Sequence, residues 1–383
     1  MKRVSVFKRV ISFMVLGLLS LPAGAIELHS SSAVLYELEG DRVLYSKNSE
    51  APIAPANLTK LMSALVAVEA IRNEEIALTT PFKISEHAWR TGGAPARVTT
   101  MFANPRSNVE VQHLVRGLVV HSANDAAIAL AEGIAGDEPN YATRMTQAAQ
   151  RIGMDNTTFA NATGYPHKYN RTTVADMVLL ANHIYRKEPG LFALFGEEKF
   201  KWNKITQRNK NPLLRKIEGL DGFGAGYSDE HGFSAIATLI HGNKRYIAAI
   251  AGAQTIEERE ADMKTLLVQA FTTHAVVPLY EKGERVGYAA VYGGDEQQIA
   301  LVAPDTISAL LNPAEKKNYS LRINYRGPLN APVKPGLKVG ELEVVSKNDV
   351  IYRAPLVTGE AVGTGSLKQR SWDALGELVW KVF

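Results

Sequence analysis

Two short β-rich runs, Ala33–Glu37 and Arg42–Ser46, flank the turn Glu39-Gly40-Asp41 and predict a β-hairpin at the start of a sheet. From Thr59 to Ile71 the apolar positions Leu61, Met62, Leu65, Val66, Val68 and Ala70 recur at helical spacing, which predicts a buried helix. Residues 109–133 hold two further helical patterns joined at His121-Ser122-Ala123-Asn124, and residues 174–186 another that starts near Thr173. Phe233–Ile240 and Tyr246–Gly252 read as strands paired about Gly242-Asn243, with a closing helix over 257–275. Near residue 277 the pattern changes. Val286–Tyr292, Gln298–Val302, Leu321–Tyr325, Gly340–Val345 and Val350–Pro355 are short apolar runs broken by Gly, Pro and Asn, which predicts a small all-β unit.

Both ends of the chain carry a different signal. Lys2, Arg3, Lys8 and Arg9 form a basic cluster, followed by the apolar run Val10–Leu21 and then Ala23-Gly24-Ala25. That order predicts a secretory signal cleaved after Ala25, because the apolar run is well short of the roughly 20 residues a spanning helix needs. At the other end, Leu367–Phe383 is helical in pattern. Trp372, Leu375, Leu378 and Trp380 fall on one face and Lys368, Arg370, Glu377 and Lys381 on the other. Such a helix suits a membrane surface, or else packs on the β-unit. The expected organisation is therefore a signal peptide (1–25), a main domain (26–276), a small β-domain (277–365) and an amphipathic membrane-associating helix (366–383).

Composition narrows the chemistry. With 46% hydrophobic and 21% charged residues, the 383-residue chain is an ordinary globular protein. It has no cysteine, which excludes disulfides, thiolate nucleophiles and Cys-ligated metals. The four basic residues of the export signal account for the whole net charge of +4, and no basic tract interleaved with aromatics remains, so nucleic acid is not an expected partner. The nine histidines show no H-E-x-x-H or related spacing, so neither metal nor cofactor is expected.

Three segments carry the chemistry: Pro55–Ser63 (PANLTKLMS), His121–Asp125 (HSAND) and Asp221–Tyr227 (DGFGAGY). In this order they resemble the three active-site motifs of the serine-type D-alanyl-D-alanine carboxypeptidases, the low-molecular-weight penicillin-binding proteins of the peptidase S11 family. Those motifs are S-x-x-K, S-x-N and K-T-G. Further segments resemble that family as well: Ser85–Pro95, Arg116–Glu132, Gly153–Pro166 and Gly327–Glu341. The resemblance runs through nearly all of the chain after residue 25. It implies an α+β fold: a penicillin-binding/β-lactamase-like domain, with an antiparallel sheet and a helical cluster, then a small β-sandwich domain and the tail helix. A true S-x-x-K occurs only at Ser5–Lys8, inside the export signal.

In the family mechanism a serine at a helix start attacks the D-Ala-D-Ala carbonyl, and a lysine three residues on shares its face and takes the proton. The resemblance places Asn57 at the nucleophile position and Lys60 at the proton-acceptor position. Ser122 and Asn124 match the second motif, while Gly224 and Ala225 replace the third motif's lysine and threonine and Gly226 is kept. A carboxamide cannot form the acyl ester. Loss of such a serine costs on the order of a million-fold in turnover, and each lost hydrogen bond to a charged group roughly 1.5–3 kcal/mol. The backbone N–H groups of Asn57 and Tyr227 could still form an oxyanion hole.

The leading expectation is a catalytically inactive member of the family. It would sit in the periplasm, peripheral to the outer face of the inner membrane, and bind peptidoglycan stem peptides or a cell-wall enzyme. The alternative is an active carboxypeptidase with a relocated nucleophile, for which Ser122 is the candidate. A further alternative is an enzyme silenced only by the change to Asn57. Plainer roles also stand: Asn57 as the helix N-cap, Ser122 and Asn124 as caps at the helix junction, and Lys60 as half of a structural pair.

Overall fold

The computed structural model describes residues 26–346 and 349–367. The expected export signal, and the expected tail helix from Lys368 onward, lie outside the described residues. Among the described residues no helix is long and apolar enough to cross a membrane.

The hairpin β1 (Ser32–Glu37) and β2 (Arg42–Lys47) opens the fold, as its β-rich runs and turn residues predict. The predicted helices follow as α1 (Thr59–Arg72), then α2 (Val111–His121) and α3 (Asn124–Ala135) beyond a small ribbon of β3 (Pro81–Lys83) and β4 (Asn108–Glu110). Next come α4 (Glu138–Arg151), α5 (Val174–Lys187), α6 (Pro189–Phe195) and a second ribbon, β5 (Lys199–Trp202) with β6 (Ile205–Arg208). The chain then returns to the sheet with β7 (Leu220–Ser228), β8 (Gly232–His241) and β9 (Lys244–Ala253).

These strands form one antiparallel sheet in the order β2-β1-β9-β8-β7. Its middle strands are covered on both faces. Ile236, Ile247, Ala249 and Ala251 point into the helical cluster, while the alternate residues Ala235, Ala237, Ala248 and Ile250 pack under the closing helix. Alanine is what lets α3 sit at the centre of that cluster. Asn124 to Ala131 are all buried, four of them alanines, so neighbouring helices approach closely.

The closing helix is not continuous as expected. It runs as α7 (Ile256–Lys264), widens into a π-type turn at Thr265–Gln269, and ends in the short α8 (Ala270–Thr273). The wide turn keeps Met263, Leu266, Leu267 and Ala270 all against the sheet.

The C-terminal unit is β-rich. Strand β10 (Ala275–Tyr280) pairs with β13 (Ile307–Leu311). The other strands are β11 (Arg285–Tyr292), β12 (Gln298–Val302), β14 (Tyr319–Tyr325), β15 (Leu329–Asn330), β16 (Lys338–Ser346) and β17 (Asp349–Thr358). They form a six-stranded sheet in the order β14-β16-β17-β12-β11-β15. The two sheets share one core, with Ile307, Ala309 and Leu311 against Leu301, Leu342, Val344 and Leu356. The unit is tied to the main domain at β2, where the Arg42 guanidinium donates to Ser308 Oγ (3.1 Å), and Leu310 enters the core that holds Leu44 and Tyr45.

Candidate functional site

Asn57 lies in a tight turn. Pro55 starts a 3-10 turn over Ala56–Leu58, which runs directly into α1 at Thr59. This corrects the N-cap expectation: Leu58 is the cap residue of α1, and no side chain caps the helix. The Asn57 side chain turns instead toward its neighbour one turn on. Lys60 Nζ donates to Asn57 Oδ1 (3.0 Å) and to the carbonyl of Thr163 (2.8 Å). Lys60 is buried, and burial alone pulls its ammonium down to about 7 from the usual lysine value.

The support beneath this turn comes from residues 161–165. Ser63 Oγ donates to the Ala162 carbonyl (2.7 Å), and Gly164 lies against Ala56 with φ at +82°. A Cβ added at Gly164 would stand 1.8 Å from the Ala56 carbonyl oxygen, so only glycine fits here.

The second motif sits at the α2–α3 junction. Ser122 closes α2 as its C-cap in the left-handed conformation (φ 55°). Asn124 is the first residue of α3, behind the cap residue Ala123. The junction is therefore capped by backbone geometry, not by these two side chains as expected. Asn124 donates through Nδ2 to the Thr99 carbonyl (3.0 Å), and its buried Oδ1 has no protein partner. The loop that supplies Thr99 is held by the buried Asp125, which accepts from Thr100 Oγ1 (2.6 Å), Met101 N (2.9 Å) and Ala103 N (3.2 Å).

The third segment is β7, the edge strand of the sheet. It packs on the Asn57 turn: a Cβ at Gly226 would be 3.3 Å from the Pro55 carbonyl oxygen, and one at Gly224 would meet Leu58 and Leu61 at 3.7 and 3.9 Å. Those last distances are ordinary contact. A Cβ at position 224 therefore meets no clash.

One cavity of about 150 Å³ brings Asn57, Lys60, Ser122, Gly224 and Ala225 together. The other named residues lie around it. Asn124 reaches it through Thr99, which lines the wall. Gly226 faces the Pro55–Ala56 backbone. Tyr227 is half exposed, packs at a tilt against Phe233 with ring centres 4.6 Å apart, and lines a separate groove beside the Asn57 turn.

The sequence reading missed Lys210. It lines the same cavity beside Asn209 and Asn211, in a loop anchored by Lys210 N donating to the Val120 carbonyl (3.0 Å). The cavity wall carries two lysines and no carboxylate, so its field favours an anionic or neutral group. Ser122 is placed near Lys60, yet the Lys60 ammonium is bound to Asn57 and Thr163, and among the described residues it makes no hydrogen bond to Ser122.

An antiparallel sheet backed by a helical cluster, with a helix-start turn, a helix junction and an edge strand meeting at one cleft, defines a penicillin-binding/β-lactamase-like domain. Comparison with known proteins agrees. Residues 20–255 match the family model for D-alanyl-D-alanine carboxypeptidase, and residues 275–364 match the penicillin-binding protein 5 C-terminal domain. The chain is 31% identical to D-alanyl-D-alanine carboxypeptidase DacF of Bacillus subtilis over 336 residues, 86% of this chain and 85% of the relative. It is 31% identical to DacD of Escherichia coli over 351 residues, 91% of this chain and 90% of the relative. The solved structure of penicillin binding protein 5 from Haemophilus influenzae superposes with a TM-score of 0.62 at 29% identity, covering 88% of this chain and 98% of that one. The chain belongs to the D-alanyl-D-alanine carboxypeptidase family, peptidase S11, whose members act on peptidoglycan.

Proposed function

We propose that this chain binds peptidoglycan stem peptides without hydrolysing them. One observation carries the reading: the nucleophile position is a carboxamide, and its oxygen is already bound to the lysine that would have activated a serine. No oxygen at position 57 can be acylated, and the proton acceptor is engaged. The alternative of a nucleophile at Ser122 loses support because Lys60 is directed to Asn57 and Thr163.

Binding is the function left to the cleft. Lys210 supplies a cation for a terminal carboxylate in place of the lost third-motif lysine. Thr99, held by Asn124 Nδ2, and Ser122 supply polar groups on the opposite wall. The edge strand β7 offers backbone groups to an extended ligand. The cavity is smaller than the several hundred Å³ typical of ligand sites, which suits a terminal D-alanine and not a whole peptide. Export through residues 1–25 and a peripheral place on the outer face of the inner membrane through 366–383 belong to the same proposal.

The test uses a soluble pentapeptide ending in D-Ala-D-Ala. NMR titration should show saturable binding that Lys210→Ala weakens about tenfold, with no free D-alanine formed. Release of D-alanine would overturn the proposal, and its loss in Ser122→Ala would assign the chemistry to Ser122.

A further inference from the structure

From Lys199 to Lys210 the chain carries five basic residues and no acidic one, and Phe200 and Trp202 alternate with the first two lysines. This corrects the expectation that no basic tract interleaved with aromatics follows the export signal. The ribbon of β5 and β6 sorts the two kinds of residue onto opposite faces. Phe200 is buried in the main core, Trp202 packs against His113 with ring centres 5.0 Å apart, and Gln207 donates through Nε2 to the Met101 carbonyl (2.9 Å). Lys199 pairs in register with Arg208, and Lys201 with Thr206, so these four fall on the other face, and all are exposed. Asn203 and Lys204, both at positive φ (44° and 64°), make the two-residue turn that joins the strands, with Lys204 exposed at its tip.

This face is held firmly and its charge is not cancelled. At the base of the ribbon Asn209 N donates to the Glu198 carbonyl (2.7 Å) and the His121 ring to the Arg208 carbonyl (2.8 Å). Among the described residues the side chains of Lys199, Lys201, Lys204 and Arg208 make no ion pair and no hydrogen bond. Glu197 is taken by Arg116 (2.6 Å), and Glu198, one residue before Lys199, falls on the other side of the alternation. Alternate residues lie about 6.6 Å apart along a strand and paired residues about 5 Å apart across it, so the four cations form one narrow row. Ammonium and guanidinium groups set this closely on a rigid surface fit the phosphates of an extended chain. The inward aromatic rings leave no platform on which bases could stack. The exposed apolar side chain of the ribbon, Ile205, pairs with Trp202 and so belongs to the inner face, which leaves the charged face nothing to insert into lipid.

We propose that the outer face of the β5–β6 ribbon binds a linear phosphodiester polyanion through its phosphates alone, with Lys199, Lys201, Lys204 and Arg208 as the contacts. The proposal goes beyond the stem-peptide reading and does not depend on it, because none of these four residues lines the Asn57 cavity. Lys210, two residues past Arg208, does line it, which places the bound chain beside the cleft.

The test is fluorescence anisotropy on the full chain with a dye-labelled abasic phosphodiester oligomer of about twelve units, which has the phosphates and no bases. Binding should saturate, and the logarithm of the affinity should fall against the logarithm of salt concentration with a slope of about −3, the value for four phosphate contacts on a single strand. The variant Lys199→Gln/Lys201→Gln/Lys204→Gln/Arg208→Gln changes exposed side chains only. It should keep its melting temperature and bind about tenfold more weakly or worse at low salt. Neutralising as many exposed lysines elsewhere, in Lys83→Gln/Lys316→Gln/Lys317→Gln/Lys334→Gln, should change affinity less than about threefold. A thymidine oligomer of the same length should bind within about threefold of the abasic one. Absence of saturable binding, equal losses in the two quadruple variants, or a larger preference for thymidine overturns the proposal. Phosphatidylglycerol vesicles that bind through the ribbon while the oligomer does not would assign this face to a lipid surface and overturn it as well.

Discussion

Lys60 is an ionisable group held in a place where it costs stability. A lysine whose ammonium has been pulled down to about 7 by burial is folded against its own preference for water. The unfolded chain holds that proton up to the ordinary lysine range, so between about pH 7 and the ordinary value the unfolded state binds more protons. Stability therefore rises with pH across that window, and the penalty is fully present at and below neutrality. Removing the amine relieves it and forfeits the hydrogen bonds to Asn57 and Thr163, worth about 1 kcal/mol each. We expect Lys60→Met to be stabilised by about 2 kcal/mol at pH 7, with the gain shrinking toward pH 10 in urea titrations. A constant difference across that range would mean that Lys60 is not buried as charged-or-neutral in the way described.

If the cleft binds without hydrolysing, as proposed, positions 57, 224 and 225 act together. Asn57→Ser alone should not react with a fluorescent penicillin, because the carboxylate anchor is still missing. Since a Cβ at position 224 meets only ordinary contacts, the triple variant Asn57→Ser/Gly224→Lys/Ala225→Thr should gain a labelled band on a denaturing gel. Labelling of the single variant would show that the anchor is dispensable. Motif order was enough to bring Asn57, Lys60, Ser122, Gly224 and Ala225 into one place before any coordinates. Lys210 had no such signal: it belongs to no spaced pattern and reaches the cavity only because its loop is pinned to the end of α2. The N-cap reading of Asn57 failed for a local reason. The 3-10 turn moves the helix cap one residue on, from Asn57 to Leu58, and the Asn57 oxygen bonds a side chain in place of a backbone N–H.

At the scale of elements, the active-site turn depends on the loop that follows α4. Gly164 is the contact that allows the two to meet. Gly164→Ala must strain a positive φ and displace the Ala56 carbonyl, so it should cost about 3 kcal/mol or more in urea unfolding. It should also shift NMR signals of the Asn57 turn. A loss below about 1 kcal/mol would place the turn and the loop farther apart than described. The strands of the central sheet were legible as short, nearly continuous apolar runs bounded by turn residues, the pattern of a sheet covered on both faces. Helix α4 was missed although Tyr141, Ala142, Met145, Ala148 and Ala149 recur at helical spacing opposite a polar face behind the N-cap Asp137, so its signal was present in the sequence. The break in the closing helix was hidden: a π-type turn changes the hydrogen-bonding step without any proline or glycine to announce it.

The whole molecule is two domains that share core residues at β2. Leu310 of the C-terminal unit is buried with Leu44 and Tyr45 of the main domain. Leu310→Ala should cost about 2–5 kcal/mol and separate one cooperative calorimetric transition into two. A single unshifted transition would deny the coupling. The composition change near residue 277 exposed the presence of a second unit, but its seat on β2 depends on contacts between residues more than 200 positions apart, such as Arg42 with Ser308. No periodicity records that pairing. The account as a whole rests on the chemistry of one cleft, and intact-protein mass spectrometry after exposure to saturating benzylpenicillin tests it most directly. An unchanged mass is expected; a gain equal to one β-lactam, mapped to this chain, would contradict the assignment of a binding protein without a nucleophile.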